Sequence, residues 1–128
     1  MTDDVRDVSL ADQLDPTTPA YVNARLLELE QCFQRAPKML EGARDALTVA
    51  RARLRREEAA ARVAAAGGAK DVRDAQVVQA TESAREGVEV ADAAFKYLQD
   101  RVQQWSREKD ALQTRSANLR AEMQLGAR

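Results

Sequence analysis

The chain has 128 residues, 45% hydrophobic, 32% charged and only 4% aromatic, with a net charge of −1. That suits one domain and argues against a dedicated duplex-binding protein, which carries a stronger basic excess. There is no histidine and a single cysteine, Cys32. The commonest general base, the commonest transition-metal ligand and any internal disulfide are therefore excluded.

In chain order, residues 1–17 form an acidic arm, flexible or folded back, carrying scattered Leu10 and Leu14. Over residues 1–20, Arg6 stands against Asp3, Asp4, Asp7, Asp12 and Asp15. This is neither the basic-then-apolar pattern of a signal peptide nor the start of a membrane span, and a cytoplasmic location is expected. Thr18-Pro19 then supplies a helix start, a capping hydroxyl followed by proline at the first helical position. The first helix is predicted from about residue 19 to about 65, with a kink before Pro37.

Along it runs a seam in steps of three and four: Val22, Leu26, Leu29, Phe33, Ala36, Leu40, Ala43, Leu47, Ala50, Leu54, Glu57, Ala61 and Ala64. This spacing keeps one helix face against a partner helix. Gly67-Gly68 interrupts the stripe, and a tight turn is predicted at about residues 66–70, because glycine accepts the left-handed backbone of a helix cap. A second helix is predicted over about 71–125, stopped by Gly126, with the seam Val77, Thr81, Ala84, Val88, Ala91, Phe95, Leu98, Val102, Trp105, Lys109, Leu112, Ser116, Leu119 and Met123.

So short a connection makes the two helices antiparallel neighbours. The expected fold is all-α: an antiparallel two-helix hairpin over 18–126, assembling as a coiled coil or four-helix bundle. A lone hairpin rich in alanine has a thin core, so a homodimer is the expected remedy. Folding about Gly67-Gly68 places small residues near the turn and Phe33, Leu29 and Val22 near Trp105, Leu98 and Leu112 at the open end. It also leaves Leu119 and Met123 overhanging the start of the first helix. Leu10 and Leu14, or a second subunit, are expected to cover them.

Nothing in the sequence carries a catalytic, cofactor or metal motif, and no small-molecule substrate is implied. Two surfaces invite a partner. Tyr97, just off the seam, and Trp105, read first as core, could anchor one with Leu119, Met123, Leu10 and Leu14. Arg44, Arg51, Arg55 and Arg62 share one face of the first helix and could meet an acidic groove or a nucleic-acid backbone. Glu58 and Glu57, at helical spacing from Arg55 and Arg53, favour an internally paired, solvated face instead, and no aromatic is interleaved to stack on bases. Nucleic acid is accordingly disfavoured.

The run VADAAFKYLQDRVQQWSREKDALQTRSANLRAEM, with its Ala-rich stretch carrying Phe95 and Tyr97 and its ending Leu112-Gln113-Thr114-Arg115-Ser116, resembles the C-terminal half of small helical proteins of tailed bacteriophages and prophages. The Leu26-Leu27-Glu28-Leu29-Glu30 turn is similar to their N-terminal helix. The resemblance implies a gene lying among recombination and replication functions in a bacterial host, and no assigned activity. The expected function is a non-enzymatic protein–protein interaction module that binds a host or phage protein, with modulation of recombination or defence as one outlet. An accessory nucleic-acid-binding protein and a structural virion or scaffolding element are the alternatives.

Overall fold

A computed structural model describes residues 9–126. These contain a 3-10 turn at Ala11–Gln13 and three α-helices, α1 (Pro19–Ala64), α2 (Lys70–Ala80) and α3 (Glu82–Gly126), with no strand among the described residues. No helix among them is long and apolar enough to cross a membrane. The chain divides into two units: Met1–Ala36 with Arg101–Arg128 (unit 1), and Pro37–Asp100 (unit 2).

Local chemistry sets the helix boundaries. The Thr18 hydroxyl accepts the Tyr21 N–H at 3.3 Å and donates to the Asp15 carbonyl at 2.7 Å, so the residue before Pro19 caps α1. Helix α1 runs unbroken through Pro37, and the boundary between the units falls at that residue. Past its end, Ala65 still donates to the Ala61 carbonyl at 2.9 Å. Gly67 (φ 105°) reverses the chain, the one glycine of the pair to use left-handed backbone. Ala69 is extended (φ −62°, ψ 148°), and α2 begins with the Arg73 N–H on its carbonyl.

The expected second helix over 71–125 is divided at Thr81. That residue leaves helical geometry (φ −103°, ψ 7°) while its hydroxyl donates to the Val77 carbonyl at 2.8 Å. The Val78 carbonyl takes the Arg85 guanidinium instead of serving only the helix ladder. A threonine hydroxyl competing for the carbonyl four residues back bends helices in this way.

In unit 1, Val22, Leu29 and Leu112 form a buried core, and Tyr21, Leu26, Phe33, Trp105 and Leu119 pack against it. Phe33 and Trp105 meet edge to face at 6.4 Å. Leu119 therefore belongs to this core and does not overhang, and Met123, though exposed, lines a groove with Pro19, Val22 and Asn23 at the start of α1. Val22 and Leu29 group with Leu112 and Leu119 rather than with Leu98, about one helical turn further along than symmetric folding places them. In unit 2, Arg62 and Ala65 share a groove with Asp74 and Val77, so α2 starts beyond the end of α1.

In unit 2 the seam falls on the expected positions but is thinly covered. Leu47, Thr81 and Ala84 are buried, whereas Leu40, Leu54, Val88, Phe95 and Leu98 remain half-buried. Three seam positions differ. Ala64 is exposed and Ala65 takes its place, because the helix ends there. Lys109 and Met123 are exposed. The Lys109 ammonium lies 5.6 Å from the Phe33 ring centroid, a cation–π contact that keeps its charge near water.

Candidate functional site

Unit 1 carries the chain's most developed polar arrangement. Arg25 grips Glu108 with both prongs of its guanidinium, Nε to Oε1 at 2.7 Å and Nη2 to Oε2 at 2.9 Å. Its Nη1 donates to Glu28 Oε2 at 3.2 Å, and the other oxygen of Glu28 accepts the Ala11 N–H at 3.1 Å. The Glu108 hydrogen bonds raise the Arg25 pKa, burial opposes this, and Glu28 adds to the rise, so the guanidinium stays charged at every working pH. A run of charge-assisted bonds thus ties α3 to α1 and α1 to the 3-10 turn.

The described part of the expected arm, residues 9–17, meets α1 where the Ala11 N–H reaches Glu28. Ala11 is fully buried, Leu14 half-buried and Leu10 exposed. Residues 1–8 of the expected arm lie outside the described residues. Asp15 closes the segment before α1 by accepting the Thr17 N–H at 2.9 Å and its hydroxyl at 2.8 Å. These two bonds, the backbone one foremost, hold its pKa below the ordinary carboxylate value.

The arginine stripe is not one free basic face. Arg44 stacks 5.7 Å from the centroid of Phe95, and Arg62 reaches Glu58 at 3.8 Å. The expected Arg53–Glu57 pair forms at 3.0 Å, while Glu58 serves Arg62 instead of Arg55. Arg51 and Arg55 are exposed, with no ion-pair partner among the described residues. Cations gather elsewhere in unit 2. A groove of about 580 Å³ is lined by Arg62, Lys70, Arg73 and Arg85, with Glu58 and Asp74 as the acids and Ala65, Val77, Val78 and Thr81 as the floor. Arg85 Nε is buried there without a hydrogen-bond partner.

Of the proposed anchors, Trp105 is half-buried in the unit 1 core, with Arg101 stacked 5.7 Å from its ring centroid. Tyr97 in unit 2 is 62% exposed. Leu10 and Met123 in unit 1 are likewise exposed. Cys32 is half-buried and unpaired. Among the described residues no three metal-capable side chains come together.

Sequence reasoning missed the Arg25–Glu108 grip and the Lys70, Arg73 and Arg85 cluster. The first lacked a signal, because residues 83 apart are joined only through the helix register. The second had one: Lys70, Arg73, Val77, Thr81 and Arg85 recur at helical spacing after the turn. In comparisons with known proteins, no family model, curated protein or solved structure matches this chain.

Proposed function

We propose that this chain is a non-catalytic interaction module: an antiparallel helical hairpin that self-associates as a four-helix bundle and offers its helical faces to a protein partner. One observation carries the reading. The chain exposes 9731 Å², whereas a folded monomer of 14.2 kDa exposes about 6,800 Å². Along unit 2 the seam is only half covered, and Val49, Val63, Val90 and Tyr97 stand exposed. Apolar side chains left bare in this way are covered by association. The resemblance of residues 71–123 to small phage helical proteins supports a host or phage protein as the further partner, including one of recombination or defence.

Light scattering at micromolar concentration tests the assembly. A particle of twice 14.2 kDa is expected, and a strictly monomeric one overturns the bundle. Affinity capture from bacterial lysate, with wild-type and Tyr97→Glu baits in parallel, tests partner binding. The partner is expected on the first bait and reduced on the second. Retention of no protein above the empty matrix counts against a module.

The cationic groove favours a second reading, accessory binding of nucleic-acid phosphates, through Arg62, Lys70, Arg73 and Arg85 rather than the Arg44, Arg51, Arg55 stripe. Fluorescence polarisation with labelled single- and double-stranded DNA decides it. Salt-sensitive binding at micromolar protein, lost in Arg73→Glu, supports it, and its absence removes it.

A further inference from the structure

The α1 and α3 segments of unit 2 present two unlike lateral sides. With Leu47 and Phe95 at heptad position a, and Ala50 and Leu98 at d, positions e and b hold the charges. There Arg44 stacks on Phe95, Glu58 pairs with Arg62, and Arg85 closes the groove beside Thr81. Positions g and c make up the other side. Arg25 and Glu108, both at g, join across the helices of unit 1, which identifies g positions as sharing a side.

On that side of unit 2, α1 offers Met39, Gly42, Ala46 and Val49, and α3 offers Gly87, Val90, Ala94 and Tyr97. Arg44 over Phe95 sets the level, so that Val49 lies across from Val90 and Gly42 across from Tyr97. Met39, Val49, Val90 and Tyr97 are all exposed, the last three by more than 60%.

The glycines carry the next step. Glycine inside a helix is unfavourable relative to alanine. A Cβ at Gly42 or Gly87 would meet nothing within 4 Å, and neither has positive φ. Nothing inside the chain therefore requires glycine at either place. A bare backbone on an apolar surface does serve a body pressed closely against it from outside.

We infer that this face of unit 2 is the surface on which a second copy of the chain packs, with α1 of one copy against α3 of the other. The inference rests on the self-associating reading above and specifies its contact. Charge complementarity selects this occupant. The α1 side of the face carries Lys38, Arg56 and Arg53, the last also bonded to Glu57 at 3.0 Å, with Asp45 as a further acid, while the α3 margin carries Glu86 and Asp100. A two-fold axis along the helices sets the basic margin of each copy against the acidic margin of the other, with apolar residues between them.

Sedimentation velocity on the full chain, over a hundredfold concentration range, tests this with five variants. Val90→Glu puts a charge on the face, and Gly42→Leu fills the bare backbone at a place where an added Cβ meets nothing within 4 Å. Each is expected to raise the dimer dissociation constant by at least about 30-fold, as loss of a central contact does, with helical circular dichroism retained. Leu27→Glu, at an exposed position in unit 1, is expected to leave it within about threefold, the range of a substitution outside the contact. Arg53→Glu weakens association, and Glu86→Arg added to it restores affinity. A wild-type chain that is monomeric throughout overturns the self-associating reading and this inference together. A wild-type dimer indifferent to both Val90→Glu and Gly42→Leu overturns the face alone and leaves the bundle standing.

Discussion

Units 1 and 2 are built on the same two heptad stripes, yet the residues beside the seam finish them differently. In unit 1 the g and c positions hold Arg25, Glu28 and Glu108, and the bonds among them draw the 3-10 turn onto α1. In unit 2 the same positions hold Met39, Gly42, Val49, Gly87, Val90 and Tyr97, which touch no such cover and stand exposed or, at Gly87, half-exposed. Seam residues follow suit. At d positions, Leu29 and Val22 of unit 1 are at most 1% exposed, whereas Leu98 of unit 2 is half-buried. A heptad stripe thus says where a helix seeks a neighbour, and the flanking positions say whether one helix is enough.

The largest expected effect tests this contrast in the core. Leu29→Ala should cost about 3 kcal/mol, since a fully buried leucine leaves a cavity, read from the urea midpoint with the slope unchanged. Leu98→Ala, made at concentrations where the chain is monomeric, should cost about 1 kcal/mol because water already reaches that side chain. Equal losses would break the comparison.

Next comes the arm. Arg25→Ala should cost about 1 kcal/mol, because the pair it forms with Glu108 is a quarter to a third exposed and partly screened. Its clearer signature is amide exchange. Glu28→Ala should accelerate exchange at Ala11 and leave Ala65 unchanged, measured by deuterium uptake. Protection at Ala11 that survives the substitution would detach the arm from this network.

Thr81→Val keeps the side-chain shape and removes the hydroxyl that donates to the Val77 carbonyl, so a thermal melt should report a loss near 1 kcal/mol or less. An unchanged melt would mean that the break in unit 2 is set by Arg85 on the Val78 carbonyl instead.

The smallest effect concerns Asp15. Its folded pKa lies below the ordinary value of 3.8, so its contribution to stability is present above that value and is lost as pH falls through the folded pKa. The Thr17 amide shift followed by NMR should therefore titrate with a midpoint below 3.8 and lose that titration in Asp15→Asn. A midpoint at or above 3.8 would show the Asp15–Thr17 bonds to be absent in solution.

Much of the seam was legible in residue spacing. Phe33, Leu47, Phe95 and Leu112 all turn inward where the three-and-four pattern puts them, because burial on a helix follows its period. The candidate sites were less legible. Arg44 has the spacing of a free basic stripe, and only the proximity of Phe95 on another helix removes it. Lys70, Arg73 and Arg85 look unremarkable until the end of α1 brings Arg62 beside them.

By itself, then, the sequence determined what local chemistry controls: the cap at Thr18-Pro19, the reversal at Gly67 and the faces that seek burial. These depend on residues within a turn or two of one another. Tertiary structure alone decided the offset that brings Leu119 into the core, the seat of Ala11 on Glu28 and the grip of Arg25 on Glu108. Each joins groups at least 17 residues apart in the chain. A heptad repeat leaves that register open, because a shift by one turn still sets apolar side chains against apolar side chains.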